Sequence, residues 1–438
     1  MKKIIFLSLL AGSLAYADVV NVEKYIVNAG NYKVIYDGKE KEFITGINPG
    51  YGSALAFKGK DKDGNLEFYA ITDRGPNVDT PKYIKKGKEL PGKFFPVPEF
   101  TPSIGVIKIS RDRGKITESI PLKNQAGENI SGRVIPQGLV GATGEAALNF
   151  DMSPLSSDID GLDTEGLAVD KEGNFWVSDE YGPFIAKADK HGKITEKYGP
   201  KEGLPEILKY RVPNRGFEGL TIDEKGDVYA AVQSPLDVNG ETGKKAEYTR
   251  IIKFNPKTKK TVMYAYPVDK GYKNPSAAKI GDIHSVGNGR FLVIEQGKQN
   301  GEMQNLIYLI DIKGADEIGD NSDLEYGKIK VKPVKKELVL DMRKQGWNIE
   351  KAEGLVLMPD RKTIAVVNDN DFGIKIKVND PENEKADLEE YTYNADRKKF
   401  LYKGKEHKKV KMEITQNSKE ERESQLWLFK LEREIPKK

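Results

Sequence analysis

Three stretches of this chain repeat one arrangement. Glu-Gly-Leu opens a short alternating strand, a tight turn follows, and a second strand ends on a polar side chain. The copies are Glu165-Gly166-Leu167 running to Asp179, Glu218-Gly219-Leu220 running to Gln233, and Glu353-Gly354-Leu355 running to Asp369. The turns Asp170-Lys171-Glu172-Gly173 and Asp223-Glu224-Lys225-Gly226 have hairpin chemistry: Asp bonds its own backbone, and Gly accepts the left-handed position. Two weaker copies begin at Ser53 and Asp282 and end at Asp73 and Glu295. Hairpins recurring at this spacing, with no helical periodicity between them, point to small sheets repeated around an axis. The expected fold is therefore all-β, a β-propeller. Five anchors are visible, at Ser53, Glu165, Glu218, Asp282 and Glu353. A sixth unit is expected from the Ser53–Glu165 interval or the C-terminal stretch, so six blades is the expected number and five to seven are compatible. Gln425–Leu431 reads as a closing strand that pairs the chain ends and removes an open edge. A pair of β-sandwiches would use similar hairpins but has no need of a Glu at the same point of each unit.

Residues 1–17 read as a secretory signal. Lys2 and Lys3 precede an apolar stretch from Ile4 to Leu14, and Ala15-Tyr16-Ala17 fits the small-x-small cleavage rule. The apolar run is too short to span a bilayer comfortably, and no other stretch qualifies. The expected mature protein is residues 18–438, one propeller domain in the periplasm or secreted outside the cell. Loop insertions are expected near 77–102, 125–160 and 370–409, the last highly charged and solvated. Without Lys2 and Lys3 the formal net charge falls from +4 to +2. That balance gives no footprint for nucleic acid. The absence of Cys excludes disulfides, thiol nucleophiles and zinc–thiolate sites together. Nothing in the sequence sets the oligomeric state.

In a ring of such sheets the first strand of each lines the axis, so Glu165, Glu218 and Glu353 converge, with Asp282 and Ser53 at the weaker positions. Carboxylates gathered there repel unless something positive compensates them. Calcium, with six to eight oxygen ligands, suits an acidic site in a chain with three His and no Cys. The candidate ligands are Glu165, Glu218, Asp282, Glu353 and Asn368. A repeated Glu-Gly also serves structure, the Glu accepting backbone N–H bonds and the Gly permitting close packing, and both readings stay open. The second strands end in Asp73, Asp179-Glu180, Gln233, Glu295 and Asn368-Asp369, near one mouth of the channel. Asp179, Glu180 and His284 are the candidate acid–base groups. Arg74, in Asp73-Arg74-Gly75-Pro76-Asn77, and Arg215, before Glu218, are candidate anion binders. Asn77 and Tyr181 join them as substrate contacts. The chain has no nucleophile-elbow serine, P-loop or dinucleotide fingerprint.

These segments together resemble the phytase-like family, described by an esterase-like activity of phytase. The resemblance is carried by Tyr69–Asn77, Phe94–Pro102, Gly161–Gly166, Phe175–Phe184, Arg215–Leu220, Gln233–Leu236, Glu353–Leu355, Val367–Gly373 and Gln425–Trp427. It implies an exported propeller that hydrolyses a small-molecule phosphate or other ester. Combined with the axial acids, it leads to a calcium-assisted hydrolase. The alternative is a non-catalytic envelope propeller that binds a ligand or a protein partner.

Overall fold

The computed structural model describes residues 18–437, so the expected signal segment lies outside the described residues. The chain is all-β. Each of the five anchors opens a four-stranded antiparallel meander. In chain order the first sheet runs Ala54–Lys60, Leu66–Ile71, Ser103–Ser110 and Arg113–Pro121. The second is Thr164–Val169, Phe175–Asp179, Phe184–Ala188 and Ile194–Pro200. The third is Phe217–Ile222, Val228–Val232, Tyr248–Phe254 and Thr261–Pro267. The fourth is Lys279–Gly287, Arg290–Gln299, Glu302–Asp311 and Lys335–Asp341. The fifth joins the chain ends: Gly354–Leu357 and Thr363–Val367 pair onward to Gln425–Leu431, which pairs antiparallel with the N-terminal strand Val19–Asn28.

The first strand of each sheet contacts the first strand of the next, and the fifth contacts the first, so the innermost strands form a closed ring. Their positions explain their composition. Strands buried on both faces read as continuous apolar runs, whereas an outer strand alternates. Phe175–Asp179 is buried at every residue, while the outer strand Arg113–Pro121 starts on strict alternation. Apolar side chains fill the wedges between sheets. Trp176, Ile185, Leu220, Ala230 and Phe254 form one such layer between the second and third sheets.

A sixth meander does not occur among the described residues. The Ser53–Glu165 interval is occupied by the first sheet, by short strands that pair into two insertion sheets and by loops, and the C-terminal stretch supplies the closing strand of the fifth. The insertions also differ from expectation. Tyr391–Asn394 pairs in parallel with Lys82–Lys85, and Gly92–Phe94 pairs with Ala146–Leu148. Segments from all three insertions thus share a core that includes Phe94, Leu148, Phe372 and Tyr391. The stretch 370–409 is not simply solvated, because Tyr391 and Tyr393 alternate inward beneath its charges.

Candidate functional site

Strand register determines which residues share the axial position. Ala54 faces Ile71, Gly166 faces Ser178 and Gly354 faces Val367, so Ser53, Glu165 and Glu353, one residue earlier, are equivalent. In the third sheet Glu218 and Gly219 lie together between the pairs Phe217–Val232 and Leu220–Ala230. In the fourth, Ile280 pairs with Glu295 and Asp282 with Ile294. The bulge between them puts Gly281 at the glutamate position and Asp282 at the glycine position. Asp282 is therefore one residue out of register with the ring, which corrects its expected role as a ligand. Its Oδ1 accepts from Ile283 N at 2.7 Å and its Oδ2 from Leu355 N of the next sheet at 2.7 Å. The carboxylate staples two inner strands. Elsewhere the strands approach too closely for any side chain: a Cβ on Gly219 would lie 2.5 Å from Ile283 N.

Glu165, Glu218 and Glu353 do converge. Each offers an oxygen within 4.8 Å of the others, and all three are buried, with exposures of 7%, 2% and 5%. Asp73, Asp163 and Glu165 form an adjoining trio of the same tightness. Two residues past the facing strand positions come Asp73, Glu180, Gln233, Gln296 and Asp369, one from each sheet. Gln233 links the two levels, its Nε2 donating to Glu218 Oε2 at 2.6 Å and to Glu180 Oε1 at 2.8 Å. Its own Oε1 is buried without a partner, as is the hydroxyl of Ser53 at the axial position of the first sheet. The bulge in the fourth sheet shifts this level too. Gln296 takes that position, its Oε1 accepting from Ala352 N at 2.9 Å, while Glu295 turns into Lys336 at 2.6 Å and the Tyr266 hydroxyl at 2.9 Å.

The electrostatics follow from burial and crowding. Burial, then the neighbouring carboxylates, holds Glu165 and Glu218 well above the ordinary carboxylate range. Burial pushes Glu180 and Glu353 up to about 8, with Lys279 opposing the rise in both and Lys351 opposing it at Glu353. Lys351 Nζ bridges Asp369 at 2.5 Å and Asp371 at 2.7 Å.

Residues 50–372 match the Phytase-like family, described as esterase-like activity of phytase. The chain belongs to this family. The matched span contains every acid of the axial cluster but neither the closing strand nor its N-terminal partner. An "uncharacterized secreted protein" of Arthroderma benhamiae is 30% identical over 181 residues, which cover 32% of this chain and 35% of that relative. The chain thus spans about a third of the relative's length. Among solved structures, a protein from Lactobacillus plantarum matches at TM-score 0.35 and 10% identity, covering 90% of this chain and all of the other. A luciferin-regenerating enzyme matches at 0.34 and 9%, covering 87% and 93%. An endo-arabinanase from Bacillus licheniformis matches at 0.29 and 11%, covering 87% and 96%.

The remaining candidate residues of this phytase-like chain divide by location. Arg74 is buried beside the axis but committed. Its Nη1 meets Glu145 at 3.0 Å, its Nε lies 3.5 Å from Asp163, and its plane lies over Phe95 and Tyr181. Asn77 accepts from Arg74 at 3.4 Å, and the Tyr181 hydroxyl donates to Gly132 O at 2.6 Å. Arg215 donates to Ser234 Oγ at 3.2 Å and to Ser276 O. Both arginines brace loops, and the guanidinium of Arg74 is taken up by its two acids. Asn368 is engaged with the closing segment: its Oδ1 accepts from Gln425 N at 2.7 Å and its Nδ2 donates to Glu423 O at 3.2 Å. It clamps the closing strand. Asp179 Oδ1 accepts from Asp163 N and Tyr181 N, while its Oδ2 is buried without a partner, and burial pushes its carboxyl up to about 7. His284 sits toward the hairpin-turn end of its strand, away from Gln296, with its imidazole lowered to about 4 by burial and Arg361. It is not grouped with Asp179 and Glu180. Sequence reasoning assigned no role to Asp163, Lys279 or Lys351. Asp163 was visible as a second acid in Leu162-Asp163-Thr164-Glu165, whereas nothing in the local pattern marks either lysine.

Proposed function

We propose that this chain is an exported ester hydrolase built as a five-bladed β-propeller, with a hard divalent cation, calcium, held on its axis. The observation that carries the reading is the set of three buried carboxylates within 4.8 Å of one another. Two buried acceptor oxygens without partners, on Gln233 and Ser53, supply further donors for a cation. The donor set is all oxygen, which fits calcium and not a soft metal. Such an ion supplies Lewis-acid polarisation of the ester oxygen and a more acidic bound water. Glu165, Glu218 and Glu353 would hold it. Glu180, one hydrogen-bond step from Glu218 through Gln233, would accept the proton of the attacking water and return it to the leaving alkoxide. Export is supported by the charged, apolar N-terminal segment and by the secreted relative.

Metal analysis of the purified mature chain tests the reading, together with melting in calcium and in chelator. One bound calcium per chain, a higher melting point with calcium, and ester turnover lost in chelator are expected. A chain that carries no metal and melts identically in both would sink it. A second reading, a non-catalytic propeller that binds a partner, draws on the depth of the acids, whose exposures do not exceed 7%. A calcium shift without turnover of any ester favours it.

A further inference from the structure

We infer that the substrate of this site carries a carboxylate apart from the bond that is cut, and that Lys279 and Arg215 receive it at the mouth of the channel. This rests on the hydrolase reading and adds the charge its substrate bears. The mouth is lopsided. At the level beside the axial trio the first, second and fifth sheets present acids, Asp73, Glu180 and Asp369, whereas the third and fourth present the amides Gln233 and Gln296. The insertions are lopsided in the same sense. They spring from the first and fifth sheets and from the link to the second, and no residue of the third or fourth sheet joins their shared core. That core reaches the mouth where Phe372, next to Asp371, meets Phe100 edge-on with ring centroids 5.2 Å apart. The third and fourth sheets thus form the less covered side. The cations divide the same way. On the walled side Arg74 is held by Glu145 and Asp163, and Lys351 by Asp369 and Asp371. On the other, Lys279 is half-buried and makes no hydrogen bond or ion pair among the described residues. Arg215 is half-buried too, and only its Nη1 is engaged, on Ser234 Oγ and Ser276 O. The Ser234 hydroxyl in turn donates to Ala278 O at 3.2 Å, so the guanidinium lies against the segment that leads into Lys279. An ammonium beside the free edge of a guanidinium suits a carboxylate. The charge of Lys279 also acts on Glu180, Glu218 and Glu353, so an anion held there feels those acids, and each further negative charge on it adds to the repulsion. A monoanion therefore fits better than a phosphate dianion. Anchored by its carboxylate at Lys279, such a ligand extends its uncharged part toward the axial trio.

The test uses the purified mature chain in calcium, the variants Lys279→Met and Lys279→Arg, and two probes that differ by one carboxylate, monomethyl adipate and dimethyl adipate. In the native chain kcat/KM for the monoester is expected to exceed that for the diester by at least about 10-fold, chiefly through KM. Lys279→Met should bring the ratio close to one, and Lys279→Arg should restore most of it. A native ratio close to one overturns the inference and leaves the hydrolase reading standing. So does a ratio that survives Lys279→Met while calcium binds more tightly, because the lysine then only offsets the acids. Calorimetric titration with hexanoate and with glycerol phosphate reads the subsite without turnover. Hexanoate should bind the native chain at least about 10-fold more tightly than it binds Lys279→Met, and more tightly than glycerol phosphate binds. If neither ester turns over but these differences hold, the hydrolase reading falls and the carboxylate subsite stands. Absent binding of hexanoate, or tighter binding of glycerol phosphate, overturns the subsite.

Discussion

Replacing Glu218 by Gln separates a cation-holding trio from three glutamates that merely fill the axis. The substitution keeps the volume and the acceptor oxygen that Gln233 Nε2 reaches at 2.6 Å, so the local packing need not change. It removes one charge. At an effective dielectric of about 20, two unit charges 4.8 Å apart repel by about 3.5 kcal/mol, and Glu218 has two such partners in the trio. Relaxation and partial protonation take up part of this, leaving an expected gain of about 2 kcal/mol for the metal-free variant at pH 9. With calcium the order inverts. A ligand at about 100 times its dissociation constant stabilises the native state by about 2.7 kcal/mol, and the variant forfeits most of that. Thermal or denaturant melts of both proteins, in chelator and in calcium, should therefore cross: the variant is the more stable in chelator and the less stable in calcium. The calcium-dependent ester turnover disappears with it. A variant that keeps the full calcium shift, or is weaker than the native chain in chelator, refutes the reasoning.

Metal-free stability should fall as pH rises from about 4.5 through about 8. Glu180 and Glu353 are raised from 4.5 to about 8 in the folded chain, so the folded state binds more protons across that window. At about 1.4 kcal/mol per pKa unit each carboxyl contributes a loss on the order of 5 kcal/mol as an upper bound. Denaturant midpoints at pH 5, 7 and 9 in chelator measure the fall; saturating calcium should flatten it, and a rise would contradict the assignment. Asp282→Asn should cost about 1–3 kcal/mol, because Leu355 N or Ile283 N loses an acceptor oxygen in the interior. Calcium stoichiometry by titration should not change; loss of the ion in that variant would return Asp282 to the ligand set.

The parts of this structure legible in the sequence are those written in a local pattern. Asp-Lys-Glu-Gly between two alternating runs specifies a hairpin by turn chemistry, and the hairpins are where the repeat placed them. Glu-Gly-Leu identified the three convergent acids because the acid and the close-packing glycine occupy neighbouring positions with separate duties. The fourth copy misled because an acid was matched to an acid. Gly281-Asp282 reverses the order of Glu-Gly, and the reversal is the mark of the bulge that takes Asp282 off the axis. The number of sheets was obscured differently. The fifth sheet interrupts its meander after Val367 and resumes it only at Gln425, so its period is hidden by an insertion that joins two others in a core of its own. Arg74 looked like an anion binder because a motif shows neighbours in sequence, and the acid that neutralises it at 3.0 Å, Glu145, is 71 residues away. The same reason kept Lys279 and Lys351 out of sight. Both stand two residues before the axial position of their sheets, where Asp163 stands in the second, so the repeat marks the position but the charge placed there changes sign from sheet to sheet and no single pattern announces it.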